Sequence, residues 1–195
     1  GSRPDSSAGA MAKPRKVYGN SLSLHTLQSR LAGEVRFDAL TKTLYRTDAS
    51  IYEVEPKGLV LPKTAQDVVK TVEFAAEHSL PLLPRGAGTS LAGQSVGAAV
   101  HMDFSKHMNA ILDFSPAEKW IRVQPGLVLD ELNAFLKPHQ LQFAPDVATS
   151  SRANIGGMIG NNSSGAHSLL YGKTIDHILE LDVVLADSTQ CRLRP

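Results

Sequence analysis

The stretch Arg85–Ser95, with the sequence RGAGTSLAGQS, contains residue types well suited to holding an anion. Glycine tolerates positive φ and leaves no side chain between its own N–H group and a ligand. Successive N–H groups in such a loop can form an anion-binding concavity. Thr89 and Ser90 add hydroxyls, and the Arg85 guanidinium could fix either the turn or a phosphate. The segment therefore indicates a pyrophosphate cradle, although a plain flexible turn between strands would have the same composition.

Neither of the two common phosphate-binding motifs is spelled out in this loop. A Rossmann fingerprint reads G-x-G-x-x-G, but Leu91 fills the place of the third glycine. A Walker loop requires G-K-[ST], and no lysine lies between Lys70 and Lys106. A different type of nucleotide-binding loop has to be considered.

A second region rich in small residues, Pro145–Gly172, follows farther along the chain. It contains IGGMIGNNSSGA, which has no charged residue, whereas a solvated loop ordinarily carries Lys, Glu or Asp. Such an uncharged, hydrogen-bonding stretch suits a large, flat ligand with polar edges. The alternative is a glycine-faced helix packed closely on a sheet. The two interpretations are compatible, since such a helix could also contact a ligand. Two such regions suggest one extended ligand of dinucleotide size that contacts both.

The histidines and the cysteine offer little further chemistry. The seven histidines show no H-x-H or H-E-x-x-H spacing, so we expect no metal site. His167 lies in the second small-residue region and is the one candidate for a redox role, although a structural role is the commoner one for a lone polar residue. The single cysteine, Cys191, permits no internal disulfide and indicates a reducing compartment.

The segment Gly58–Leu83 has the clearest secondary-structure pattern. GLVLP predicts a short buried strand, and Thr64 with Asp67 forms a capping box that begins a helix. The apolar face of that helix is predicted to comprise Val68, Val69, Val72, Ala75 and Ala76. LPLL then predicts a second strand, parallel to and paired with the first. The glycine loop would follow its carboxyl end, where ligands bind in open α/β sheets.

The rest of the chain predicts a different arrangement. AAVHMDF, AILDFS and WIRVQPG read as short alternating strands, LVLDELNAFL as a helix, and ILELDVVLADSTQCRLR as two strands around a turn at Asp187-Ser188. The fold class is therefore α+β: a small parallel βαβ subdomain, then a mixed or antiparallel sheet subdomain with helices. We divide the chain into a disordered leader (1–20), an N-terminal helical arm (21–50) and the main domain (51–195).

Charge and length exclude several classes of protein. The chain has 195 residues, of which 20 are basic and 19 acidic, without the basic stripe of nucleic-acid or membrane-surface proteins. No run of residues is long enough to span a membrane, and no signal peptide is recognisable. Gly1-Ser2 is typical of a protease remnant, and Met11 could be the natural start. These features predict a cytoplasmic protein without nucleic-acid or membrane partners.

Three motifs, in this order, carry a resemblance to a known family: LPRGAGTSLAGQSV, VQPGLVLDELNAFL and FAPDVATSSRANIGGMIGNNSSGAHSLLYGKTIDHILELDVVLAD. Pro56–Pro195 resembles the FAD-binding domain of vanillyl-alcohol oxidase and p-cresol methylhydroxylase (PCMH-type) flavoproteins. Among these, it is most similar to flavin subunits of D-lactate dehydrogenase and glycolate oxidase. It also resembles long bacterial FAD-linked oxidases, which carry iron–sulfur segments farther along.

The resemblance implies that FAD lies between the two subdomains and contacts three groups of residues. The residues implied to wrap the pyrophosphate are Arg85, Gly86, Ala87, Gly88, Thr89, Ser90, Gly93 and Gln94. Those implied to approach the flavin are Pro145, Asp146, Thr149 and Ser150. Those implied to line the remaining channel are Gly156, Gly157, Gly160, Asn162, Ser164, Gly165 and Tyr171.

Three residues depart from the family pattern. Thr149 stands where the family usually has Ser, and Asn154 where it usually has Thr. Thr89 occupies the place of the His that carries a covalent flavin in some relatives, so we expect non-covalent FAD.

The resemblance also implies that the chain is truncated. In the family, the cap domain holds the substrate and the catalytic residues, which are therefore unknown here. We expect the 195 residues alone to show little turnover.

The function that the resemblance implies is oxidation of a 2-hydroxy acid, such as D-lactate or glycolate, by hydride transfer to FAD. Two alternatives stay open from the sequence. One is a nucleotide-binding module without catalysis, and the other is a flavin reductase of the same fold.

Overall fold

The computed structural model describes residues 20–194, so the predicted leader lies outside the described residues except for Asn20. The helices and strands, in chain order, are α1 (Asn20–Gln28), β1 (Glu34–Arg36), α2 (Ala39–Tyr45), β2 (Gly58–Leu61), α3 (Ala65–Glu77), β3 (Leu82–Arg85), β4 (Val100–Asp103), β5 (Ile111–Ser115), β6 (Trp120–Val123), α4 (Leu129–Leu136), α5 (Ile155–Asn161), α6 (Ser168–Tyr171), β7 (Leu181–Val184) and β8 (Gln190–Leu193). Short 3₁₀ turns follow α4 and α6.

A four-stranded sheet with the order β1-β2-β4-β3 forms the first half of the fold. β2 and β3 both run parallel to β4, and β1 is antiparallel to β2. The predicted direct pairing of β2 with β3 is therefore wrong, because β4 lies between them. AAVHMDF supplies this central parallel strand and is not part of an antiparallel sheet. Its residues Val100–Asp103 are all buried, whereas β3 contains Pro84, which lacks an N–H group and suits an edge.

The predicted capping box at the start of α3 is confirmed. The Asp67 N–H donates to Thr64 Oγ1 at 3.1 Å, and the Thr64 N–H donates to Asp67 Oδ2 at 3.2 Å. The buried face of α3 differs from the predicted stripe, because Phe74 is buried and Ala76 is exposed.

The core beneath the sheet includes residues from outside the predicted main domain. Leu24 and Leu27 of α1 are at most 1% exposed and pack with Val60, Phe74 and Val100. The boundary near residue 50 stays a prediction, but α1 shares the core of the first sheet.

A second core joins α4 and α5 to the β5–β6 hairpin. Both β5–β6 and β7–β8 are antiparallel, one of the two arrangements that the sequence left open, and they form two separate two-stranded sheets. The IGGMIG sequence forms α5, so the glycine-faced helix considered above exists. A mixed α+β fold is thus confirmed, with parallel strands in the first half and antiparallel hairpins in the second.

Two elements near the N-terminus were missed by the sequence pattern. β1 is only three residues long, and α2 begins after Asp38, whose carboxylate accepts the Thr41 N–H at 2.9 Å. α2 leads directly into the segment that contacts the glycine loop. Within residues 20–194, every helix is too short or too polar to cross a bilayer.

Candidate functional site

The glycine loop leaves the carboxyl end of β3, where the sequence places it. Two of its glycines have positive φ, Gly88 at +68° and Gly93 at +78°. Among residues 20–194, none of the backbone N–H groups from Gly86 to Leu91 donates a hydrogen bond to another protein group. Several donors in succession are therefore available to an acceptor from outside the chain, which is the requirement for an anion cradle.

The Arg85 side chain closes this loop. Its Nη1 donates to the Ser95 carbonyl at 2.7 Å and to the Tyr45 carbonyl at 3.3 Å, and its Nη2 donates to the Thr47 carbonyl at 2.8 Å. Of the two roles that the sequence left open for the guanidinium, its hydrogen bonds in the structure serve to fix the turn. Burial lowers the pKa of Arg85, while Tyr45, Asp103 and Asp48 oppose that shift.

The two small-residue regions lie side by side. A β-carbon on Gly86 would lie 2.6 Å from Asn154 Oδ1, and Gln94 Nε2 donates to Asn161 Oδ1 at 3.4 Å. The start of the loop therefore rests on the residue before α5, and its later part contacts the end of the same helix.

Asn154 forms a buried floor beneath the loop. It is 4% exposed, and its Nδ2 donates to the Gly126 carbonyl at 2.6 Å. Its Oδ1 has no hydrogen-bond partner among the described residues and faces Gly86. A side chain on Gly86 would collide with this amide, so the close approach requires glycine.

The three glycines of α5 have two kinds of environment: one lies against Pro125, and two face open space. A β-carbon on Gly156 would lie 2.6 Å from the Pro125 side chain, so this glycine allows the helix to pack closely. A β-carbon on Gly157 or Gly160 would meet no atom within 4 Å. Spaced three residues apart, these two lie on one helix face and present bare backbone. The close-packed helix is therefore present at Gly156, and the backbone at Gly157 and Gly160 remains open to a ligand.

Asp146 connects the predicted flavin-side residues to the loop after α5. His167 donates its backbone N–H to Asp146 Oδ1 at 3.3 Å, and its Nδ1 is hydrogen-bonded to Asp146 Oδ2. This side-chain contact holds the pKa of Asp146 below its usual value. Gly165 lies so close to Asp146 that any β-carbon there would collide with the aspartate carbonyl.

The remaining predicted site residues have varied environments. Pro145 is buried, Ser150 is half-buried, and Thr149, Ser164 and Tyr171 are exposed. Asn162 uses its Oδ1 to accept the Ile175 N–H at 3.0 Å, so part of its side chain anchors the following turn.

The contribution of Tyr45–Tyr52 is not visible in the sequence, because no local pattern connects these residues with a loop about forty positions later. Asn154 was recognised as a departure from the family pattern, and its position beneath Gly86 is visible only in three dimensions. Within the part of the chain that the structure describes, no group of three or more His, Cys, Asp or Glu residues could hold a metal ion.

The residues present fit a dinucleotide. The loop offers unpaired N–H donors for a pyrophosphate, and the adjoining face of α5 offers open backbone at Gly157 and Gly160. Gln94 and Asn161 join these two surfaces, so one ligand could contact both.

Known proteins share this sequence and fold. The FAD binding domain family matches residues 56–194. D-2-hydroxyglutarate dehydrogenase from Pseudomonas putida is 46% identical over 160 residues, which are 80% of this chain and 16% of that protein. The mitochondrial D-lactate dehydrogenase [cytochrome] 1 of Saccharomyces cerevisiae is 33% identical over 78% of this chain and 26% of that protein. The chain thus spans only a minor part of these relatives.

The fold is also that of PCMH-type flavoenzymes. The crystal structure of p-cresol methylhydroxylase with substrate bound has a TM-score of 0.72, with 21% sequence identity over 88% of this chain and 34% of that one. The likeness to this structure concerns the fold, and the family match covers most of the chain. The 195-residue chain belongs to the FAD binding domain family, and its cofactor is FAD.

Proposed function

We propose that the backbone N–H groups of Gly86–Leu91 bind the pyrophosphate of FAD and that Gly157 and Gly160 lie against the cofactor. The observation that carries this proposal is the run of unpaired N–H groups in a loop that the chain has already closed. The half-buried positive charge of Arg85 supports an anion there, because a guanidinium stays charged even where burial lowers its pKa.

The other predicted contacts complete this proposed site. Gln94 would join the pyrophosphate loop to α5, and Asp146 with His167 would form the polar end near the flavin. Without a histidine at position 89, this loop cannot supply a histidyl bond, so we propose non-covalent FAD. Acid precipitation of the loaded protein should leave the flavin in the supernatant, and flavin in the pellet would contradict this.

We further propose that the whole protein oxidises a 2-hydroxy acid. When bound, FAD supplies a two-electron acceptor for the hydride from the substrate's α-carbon. The contribution of this chain is to bind and orient the cofactor. The relatives named for D-2-hydroxyglutarate and D-lactate support this substrate class.

The test of the activity uses the complete natural polypeptide that carries these residues. Kept anaerobic and loaded with FAD, it should lose its yellow absorbance when D-2-hydroxyglutarate, D-lactate or glycolate is added. Unchanged absorbance with all three, in a protein that binds FAD, would contradict the proposed activity and leave the proposed cofactor site intact.

Gly157→Leu should separate cofactor binding from folding. The added side chain meets open space in the protein, so the free energy of unfolding should stay equal or rise by about 1 kcal/mol, as expected for replacing a helical glycine. The same side chain would occupy space that we assign to FAD, so the Kd for FAD should rise at least about tenfold. Fluorescence titration of the apoprotein and thermal unfolding measure the two quantities.

Ala76→Leu, on the exposed side of α3, is the matched control. It adds the same apolar side chain far along the sequence from the proposed site and should change neither the Kd nor the stability by much. Wild-type affinity in Gly157→Leu would place the cofactor elsewhere.

The cellular setting is a separate proposal. The single cysteine, Cys191, is unpaired, which supports a cytoplasmic location, and cell fractionation tests it. An iron–sulfur segment elsewhere in the polypeptide is expected from the resemblance, and iron analysis of the complete protein would detect it.

A further inference from the structure

The segment Tyr45–Tyr52, which we name the strap, runs along the glycine loop although it precedes the residues that the family matches. Its carbonyls at Tyr45 and Thr47 accept the Arg85 guanidinium, at 3.3 and 2.8 Å. The same guanidinium reaches the Ser95 carbonyl at 2.7 Å. One side chain at the start of the loop thus ties the loop's end and the strap together.

The strap contacts the middle of the loop as well. The Ala49 N–H donates to the Gly88 carbonyl at 3.0 Å, at the position where the loop takes positive φ. The Tyr52 ring lies against Gly93, where a β-carbon would approach the ring to 2.6 Å. These two contacts fix both left-handed positions of the loop from outside it.

Asp48 connects the strap to the far end of the loop through its carboxylate. Its Oδ2 accepts the Ser95 hydroxyl at 2.8 Å and its Oδ1 accepts the Ser50 N–H at 2.8 Å. Burial would raise the pKa of Asp48, but the hydrogen bonds from Ser50 and Ser95 outweigh burial and lower it. The carboxylate is therefore ionised at neutral pH and holds the far end of the loop.

The strap is itself anchored to the sheet. The Tyr45 hydroxyl donates to Asp103 Oδ2 at 2.5 Å, and the Tyr45 ring lies 5.2 Å from the Arg85 guanidinium carbon. Asp103 is the last residue of β4 and Arg85 is the last residue of β3. Through Tyr45, the strap is therefore attached to the ends of these two paired strands, next to the start of the glycine loop.

We propose that the strap is a positioning element of the FAD site. Within it, Asp48 acts through Ser95 to hold the loop in the conformation that directs its backbone N–H groups toward the pyrophosphate. The proposal rests on the placement of the FAD pyrophosphate in the loop. The hydrogen bonds of Asp48 run to Ser50 in the strap and to Ser95 at the end of the loop, so the role assigned to Asp48 is an effect on the cofactor through the loop.

The test compares Asp48→Ala with Asp48→Asn in the 195-residue chain. Asp48→Ala should raise the Kd for FAD about tenfold, the fold-change typical of losing a hydrogen bond to a charged group. Asp48→Asn keeps an acceptor of the same shape and should recover most of the affinity. Glu53→Gln is the control: the Glu53 carboxylate forms an ion pair at 2.8 Å with Arg46 of the strap, and neither side chain has a hydrogen bond or ion pair to Gly86–Ser95 among the described residues.

A double-mutant cycle tests whether Asp48 acts through Ser95. If it does, Asp48→Ala combined with Ser95→Ala should raise the Kd for FAD no more than the larger single effect. Full additivity of the two effects would overturn the proposed route. So would a Kd for FAD within twofold of wild type in Asp48→Ala, even if the apoprotein melts at a lower temperature.

FAD retention in two variants distinguishes an error in the strap proposal from an error in the proposed pyrophosphate site. If Gly88→Val loses FAD and Asp48→Ala retains it, the loop binds the pyrophosphate and the strap has no positioning role. If Gly88→Val retains FAD, the placement of the pyrophosphate is wrong and the strap proposal is overturned with it.

Discussion

Gly88→Val should purify without FAD. Gly88 has a φ of +68°, a conformation that a β-branched residue strongly disfavours. A β-carbon there would also lie 2.5 Å from Arg85 Nη2 and displace the guanidinium that closes the loop. Gly86→Val should have the same result through collision with the buried amide of Asn154. Flavin absorbance per mole of purified protein measures the outcome.

Ala98→Val is the matched control for these loop variants. Ala98 is exposed, lies just beyond the loop and has no positive φ, so the same valine should leave the FAD content at the wild-type level. Circular dichroism of all three variants would show whether the fold is retained. Full FAD occupancy in either glycine variant would mean that this loop is not the cradle.

Asp67→Ala should be the most destabilising of the substitutions considered. Asp67 is 2% exposed, and its carboxylate accepts the N–H groups of Ala32 at 2.9 Å, Lys63 at 2.9 Å and Thr64 at 3.2 Å. Removing it leaves three donors without an acceptor, each worth at least about 1 kcal/mol. The free energy of unfolding should fall by about 3 kcal/mol or more, a large share of the 5–15 kcal/mol typical of a domain.

The contribution of Asp67 should depend on pH in a defined direction. Burial would raise the pKa of Asp67, but hydrogen bonds from the backbone of Lys63, Ala32 and Thr64 outweigh it and lower the pKa. A folded-state pKa below the unfolded value of about 3.9 means that the stabilisation is present above that pH. It is lost as the pH falls through the folded-state pKa.

Denaturant unfolding across a pH series would measure this dependence. The stability difference between wild type and Asp67→Ala should be constant above about pH 5 and shrink below about pH 4. Glu73→Ala, an exposed carboxylate on the same helix, should show neither the loss nor the pH dependence. A stability difference that does not change with pH would contradict the role assigned to the ionised carboxylate.

The parts of the fold that the sequence predicts correctly depend on local signals. The capping box of Thr64 and Asp67 lies within one helical turn, and the strand before it is a continuous apolar run. Those two features were enough to place the glycine loop at the carboxyl end of a strand. The antiparallel hairpins were also predictable, since each pairs neighbouring segments.

The insertion of β4 between β2 and β3 depends on a comparison of strands that are far apart in the sequence, since several strands compete for the central position of the sheet. Strand order is decided by which strand can be buried on both sides, and the motif strand-helix-strand does not specify it. A signal was present in Pro84, because a proline favours an edge strand over a central one. That residue indicates an edge position for β3, but it does not identify β4 as the neighbouring strand.

The site shows the same division between local and distant information. The glycines that could form a cradle are visible in the sequence, but the direction each one faces is not. Gly156 packs on Pro125 while Gly157 faces open space, although the two are adjacent. The carbonyls that Arg85 binds lie about forty positions earlier in the chain, and no pattern in either segment indicates the other.

The closure of the loop by one guanidinium bears on how readily the protein takes up its ligand. A flexible loop would spend most of its time in shapes that cannot bind, and its apparent Kd would be weakened by the fraction of competent molecules. Here the Arg85 side chain holds Ser95 and the strap while the loop's N–H groups stay unpaired. The conformational entropy of the loop is therefore lost during folding, and little of it remains to be lost when the ligand arrives.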